Sequence, residues 1–145
     1  MIDCVLVWRK FIPNIKLLVL TKDKKELESI LSPYTNEQRS IIAYESVSFS
    51  EVPSYLALAT AAIYFIKPVF SKIASSPTKQ AECWAMDLPI VTNAGVGDND
   101  LYFNKYRGGI LLSEFTTQEY ERAGHAFLEL LKKRTAYREI AQQFF

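Results

Sequence analysis

One histidine and two cysteines are too few, and too scattered, to assemble a zinc site or a histidine-based triad from this chain of 145 residues. Cys4 and Cys83 lie in apolar, helix-like segments, without the spacing of a disulfide framework or a metal knuckle. That usage points to a reduced, cytoplasmic setting. An excess of one charge is missing too. Seventeen basic residues against 16 acidic ones leave a net +1, spread along the chain, which excludes a basic surface large enough to grip nucleic acid. No apolar run approaches the roughly 18 residues needed to cross a bilayer, and Met1 is not followed by a basic, apolar and small-residue export signal. Membrane association is not indicated in this segment. Internal repeats, low-complexity tracts and linkers are absent as well.

The chain does have hydrophobic material, 49% of the residues, enough for one compact core, but it is too short for two ordinary domains. The expectation is a single domain over residues 1–145. Five near-continuous apolar runs of strand length stand out: Lys16–Leu20, Ser40–Tyr44, Ala61–Ile66, Pro89–Thr92 and Gly109–Leu112. Strands buried on both faces read this way, whereas half-exposed strands alternate. Segments of helical period separate them. Asp23–Leu31 carries Leu27, Ile30 and Leu31 on one stripe. Ser50 is placed to cap a helix through Tyr55 and Leu56, with Pro53 in its first turn. Ser76-Pro77-Thr78 opens a helix through Cys83, Trp84 and Met86, and Thr116 with Glu119 makes a capping box before Tyr120, Ala123 and Phe127. The tail from Tyr137 to Phe144 repeats the spacing. Ile2–Trp8 fits a strand by its valines, but Ile2, Val5, Leu6 and Arg9 also fit a helix ending before Pro13, the preferred reading, in which the strand that should precede it in a βαβ unit is lacking. Together these features predict an α/β, Rossmann-like parallel sheet with helices on both faces.

In such sheets ligands bind outside the carboxyl ends of the strands, so the loops there carry the functional reading. The loop after Ala61–Ile66 contains Lys67, Lys72, Ser75, Ser76, Thr78 and Lys79 and ends at a helix start, whose N–H groups and partial positive charge suit a phosphate or diphosphate. An ordinary serine-proline cap on a surface loop accounts for the same composition. Glu82, on the face shared with Thr78 and Lys79, can accept two hydroxyl hydrogen bonds from a ribose diol, or else pair with Lys79 or Lys72. The loop after Pro89–Thr92 holds Gly95 and Gly97, which let the backbone turn sharply and approach a ligand, with Asp98 placed to cap the next helix. It does not match a dinucleotide fingerprint. His125 falls inside a helix, as a solvated or packing residue, and the aromatics Phe115, Tyr120, Phe127, Tyr137, Phe144 and Phe145 fall at core spacing.

From Lys16 onward the ordered set resembles the C-terminal, donor-binding domain of retaining glycosyltransferases with two facing Rossmann-like domains, the glycogen-synthase-like superfamily (family 4-like, GT-B fold). The segment SSPTKQAECWAMDLPIVTNAGVGD, Ser75 to Asp98, is similar to that family's glutamate helix, small-residue turn, Pro-Ile-Val strand and glycine loop. VSFSEVPSYLALATAAIYFIKP, Val47 to Pro68, resembles the segment upstream of it. The resemblance implies that Glu82 is the second glutamate of a Glu-x7-Glu motif, the ribose ligand. The first glutamate has no counterpart, because counting back reaches Ala74. The resemblance further implies a fragment that binds a nucleotide-diphosphate sugar for transfer to an acceptor, without cofactor or metal. Its N-terminal acceptor domain, and the Arg and Lys that clamp the diphosphate, would lie upstream. Donor-binding residues are then Glu82, Ser75, Ser76, Thr78, Lys79, Lys67, Gly95 and Gly97, and no catalytic residue is identified. Two other readings share the architecture: a sugar-nucleotide epimerase, and a receiver-like signalling domain suggested by Lys67-Pro68. A receiver needs acidic clusters at earlier strand ends, which Leu20-Thr21 and Tyr44-Glu45 do not supply.

Overall fold

The computed structural model describes residues 1–67, 78–132 and 136–144. They fall into two compact units, Ile2–Val52 and the chain from Pro53 onward with Met1. Every strand pairing among them is parallel.

In the first unit α1 (Ile2–Trp8) buries Ile2, Cys4, Val5 and Trp8, the stripe its helical period dictates. β1 (Leu17–Leu20) pairs with β2 (Ile42–Glu45), Leu17 opposite Ile42. Between them α2 (Lys24–Leu31) starts at Asp23, whose carboxylate accepts from Glu26 N at 2.8 Å, and buries Leu27 and Leu31. Ser40 does not begin β2 as its sequence context suggested. Instead it ends a short helix, α3 (Asn36–Arg39), and its N–H reaches Asn36 O. A reciprocal box between Thr35 and Gln38 starts that helix, a signal hidden by its polar, aperiodic residues.

The helical segment near Ser50 forms as a 3-10 turn, Phe49–Glu51, leading into α4 (Val52–Leu56) with Pro53 in its first turn. The capping residue is Ser48, not Ser50. Glu51 turns back to accept both the Ser48 N–H (2.9 Å) and the Ser48 hydroxyl (2.6 Å), which locates the start two residues earlier.

The second unit runs β3 (Ala62–Ile63), α5 (Thr78–Ala85), β4 (Ile90–Asn93), α6 (Asn99–Tyr106), β5 (Gly109–Leu112), α7 (Thr117–Leu131) and α8 (Tyr137–Phe144), with strand order β3-β4-β5. β4 is central and buried at all four positions, as expected of a strand covered on both faces. On one face Ile90 packs with Cys83 and Trp84 of α5, Phe103 of α6, and Tyr137, Ile140 and Ala141 of α8. The alternation of β5 sends Leu111 toward this cluster and leaves Ile110 and Leu112 for the other face, where α7 packs with Tyr120, Ala123 and Phe127 buried.

Trp84, fully buried, is the centre of that core. Its indole N–H donates to Gly108 O at 2.8 Å, and its rings meet Phe103 and Tyr102 at centroid distances of 5.7 and 6.0 Å. The indole lies so close to the chain entering β5 that a Cβ on residue 108 would stand 2.2 Å from Trp84 Cζ2. At Gly109, φ is +151° and a Cβ would stand 1.9 Å from Ile90 O. Both positions therefore require glycine. The turn after α5 passes through Asp87, a left-handed residue (φ 62°) whose carboxylate accepts from Arg138 N at 3.0 Å at the start of α8.

Gly108→Ala is expected to lower unfolding stability by about 1–3 kcal/mol, the usual cost of overpacking a core. Urea denaturation of the variant beside the unchanged protein measures it. An unchanged midpoint would show that Trp84 does not seat against residue 108 in solution.

Candidate functional site

A parallel β3–β4 connection must return from the carboxyl to the amino edge of the sheet, so α5 descends and its first turn lies at the carboxyl edge. A side-chain bond fixes that turn: the Tyr64 hydroxyl, one residue past β3, donates to Gln80 Oε1 at 3.1 Å. Gln80 is buried on the same helical stripe as Cys83 and Trp84. The opposite face is open. Thr78, Lys79 and Glu82 are all exposed, and the Glu82 carboxylate makes no ion pair or hydrogen bond with another described residue. The alternative pairing of Glu82 with Lys79 is thus not formed, although both charges act in opposite directions on the Cys83 thiol. Lys67 is exposed on the segment leaving β3. Ser75 and Ser76, with the cap they were expected to provide, lie outside the described residues, as do Ala74 and Lys72.

The end of β4 is joined to the end of β3 by one side chain. Asn93 Oδ1 accepts from Ile66 N at 2.8 Å and Asn93 Nδ2 donates to Ile66 O at 2.9 Å, so a carboxamide replaces the backbone rung. This is why β3 stops at Ile63, short of the expected Ile66, after Tyr64 N has bonded Val91 O. Past Asn93 the chain turns through Gly95 (φ 74°) and Gly97 (φ 50°), both left-handed, around a fully buried Val96. Asp98 precedes α6 but forms no side-chain cap. Asp100, inside the first turn, accepts from Gly95 N at 3.1 Å and holds the glycine loop from the helix side.

At the end of β5, Thr116 Oγ1 accepts from Glu119 N at 3.3 Å, one half of the expected capping box. The other half does not form, because the Glu119 carboxylate is drawn elsewhere. It takes Arg122 Nε at 2.6 Å and the Ser113 N–H at 2.8 Å, while Arg122 also reaches Leu111 O. The Arg122 guanidinium, followed by the Ser113 donors, pulls the Glu119 carboxyl from 4.5 down to about 2 against the opposing effect of burial. Phe115 is not a core residue: it is 47% exposed and meets Phe65, from the β3 side, at 5.2 Å between ring centroids. Tyr120, Phe127 and Tyr137 are buried as expected, while the Phe144 side chain and Phe145 lie outside the described part of the chain. His125 is exposed on α7.

Both thiols are buried and held protonated. Loss of hydration pushes Cys4 up to about 12 and Cys83 up to about 11, so neither is a nucleophile at neutral pH. Among the described residues no group of three or more His, Cys, Asp and Glu side chains is placed to hold a metal, and no helix is long and apolar enough to cross a membrane.

Lys67 thus follows the end of β3, Thr78, Lys79 and Glu82 stand on the first turns of α5, and Asn93 ties Ile66, just before Lys67, to the strand that leads into the loop of Gly95 and Gly97. Residue-type reasoning on the loops missed Tyr64, Gln80, Thr92 and Asn93. A signal existed for Gln80, which sits three and four residues before Cys83 and Trp84 and so belongs to their buried stripe. Family models and curated proteins, searched with the sequence, give no match.

Since the Glu119 carboxyl is depressed in the folded state, its contribution is complete above about pH 4.5 and is lost as pH falls toward about 2. Urea unfolding of Glu119→Gln and of the unchanged protein, from pH 7 to 2.5, should show the variant less stable at pH 7 and the gap closing with acid. A gap independent of pH would refute the ion pair as its cause.

Proposed function

We propose that the carboxyl edge of the β3-β4-β5 sheet binds the nucleoside diphosphate part of a nucleotide-sugar donor, as the donor-binding half of a glycosyltransferase. The observation that carries the reading is Glu82: an exposed carboxylate without a partner among the described residues, one turn inside a helix whose start carries Thr78 and Lys79 at that edge. In this arrangement the N-terminal end of α5 and Lys79 take the diphosphate, and Glu82 accepts the ribose hydroxyls. Ser75 and Ser76 belong to the same loop by sequence. Lys67 adds a second cation on the segment leaving β3. The left-handed turns at Gly95 and Gly97 keep side chains off a stretch of backbone at the neighbouring strand end, which lets a ligand approach it.

The chemistry expected of such a site is stabilisation of the leaving diphosphate by helix dipole and lysine charge. The acceptor and the second wall of the cleft are assigned, by the family resemblance alone, to an N-terminal domain outside residues 1–145. The resemblance likewise suggests transfer rather than epimerisation.

Calorimetric titration with a panel of nucleoside diphosphates tests the reading. Glu82→Ala should weaken binding by about 1.5–3 kcal/mol, the range for hydrogen bonds to a charged group, with little change in melting temperature because the carboxylate is solvated. Lys79→Ala should weaken the diphosphate more than the matching nucleoside, and the difference should shrink as salt rises. Unchanged affinity in a folded Glu82→Ala protein would sink the assignment.

A further inference from the structure

Two buried polar atoms on neighbouring elements lack partners among the described residues: Gln80 Nε2 on α5 and Thr92 Oγ1 on β4. Their residues are 1% and 0% exposed. The Tyr64 hydroxyl stands with both. It donates to Gln80 Oε1 at 3.1 Å, and a polar contact from the Thr92 hydroxyl eases its ionisation against the larger, opposing effect of burial. The sheet explains this convergence. Tyr64 continues β3 beside Thr92, since Tyr64 N bonds Val91 O, and both side chains fall on the face of Ile90, where α5 packs.

Burial pushes the Tyr64 hydroxyl well above the ordinary phenol range, so it stays a donor committed to Gln80. That leaves the two N–H groups of Gln80 Nε2, the acceptor lone pairs of the Tyr64 oxygen and the Thr92 hydroxyl. Every one of these groups is neutral. An anion would enter without a compensating charge. A hydroxyl on a larger ligand would need an opening to solvent, and Gln80 and Thr92, at 1% and 0% exposure, offer none, while Tyr64 is partly buried.

We propose that Tyr64, Gln80 and Thr92 form a binding site for a single water molecule, which joins the first turn of α5 to β4. The water accepts from Gln80 Nε2 and donates to Thr92 Oγ1 and the Tyr64 oxygen, the three partners typical of buried water. This site is independent of the donor-binding reading, because its evidence is internal to the core.

Replacing Thr92 distinguishes a dry site from a hydrated one. If Thr92 Oγ1 is dry and unsatisfied, Thr92→Val removes a buried polar atom at nearly constant shape and leaves the folding equilibrium unchanged or improved. If the hydroxyl holds a water, the same change leaves that water and Gln80 short of a partner, and the equilibrium constant should fall roughly fivefold. Thr92→Ser keeps the hydroxyl and separates its loss from that of the methyl group. A crystal structure of the unchanged protein should show one water within hydrogen-bond distance of Thr92 Oγ1 and Gln80 Nε2, missing in Thr92→Val. A neutral or stabilised Thr92→Val, or density without that water, overturns the proposal. Either result leaves the titrations of Glu82→Ala unaffected, so the two readings fail separately.

Discussion

The indole of Trp84, held by its N–H to Gly108 O, is the contact on which the second unit depends. A tryptophan buried at zero exposure must place both a large ring and a polar N–H, and few sites satisfy both. Here the ring lies against the chain just before β5, and that chain can come close only because residue 108 has no side chain, while the bare Gly109 next to it meets the Ile90 backbone of β4. The bond thereby spans from α5 to the start of an edge strand, across the amino end of β4. α6 and α8 complete the same cluster through Phe103, Tyr137 and Ile140. Residues of β4, α6 and α8 thus share one cluster with Trp84, and the first turn of α5 is held at the other end of the helix by the Tyr64–Gln80 bond.

This division of labour separates the two faces of α5. Gln80, Cys83 and Trp84 face inward and determine where the helix lies, while Lys79 and Glu82 project from the outside. A charged residue on such a helix contributes little to stability in water, so its type is free to serve recognition. The glycine loop follows the same principle. Val96 anchors it in the core, and the flanking left-handed glycines leave the backbone uncovered.

The fold was largely legible because long apolar runs and helical stripes report burial, the property that tertiary structure enforces. The β4 and β5 segments, α1, α2, α7 and α8 follow from that signal alone. Local polar contacts were less legible, since several residues of one type compete for each donor. Ser48 rather than Ser50 caps because the Glu51 carboxylate reaches it, and Glu119 abandons its capping box because Arg122 offers a guanidinium. At the candidate site, Lys79 and Glu82 were legible from helix phase. The Asn93–Ile66 pairing was not, because it joins residues 27 positions apart and depends on where a strand ends.

That pairing also sets the register of β3 against β4. Parallel strands of similar apolar residues can in principle slide, and alternation alone penalises only odd slips. A carboxamide that takes both the N–H and the C=O of one residue acts as a latch keyed to Ile66. A slip of β3 by two residues, which alternation tolerates, would break both bonds at once and strand the buried Asn93 carboxamide, so one side chain makes the register of an apolar strand pair discrete.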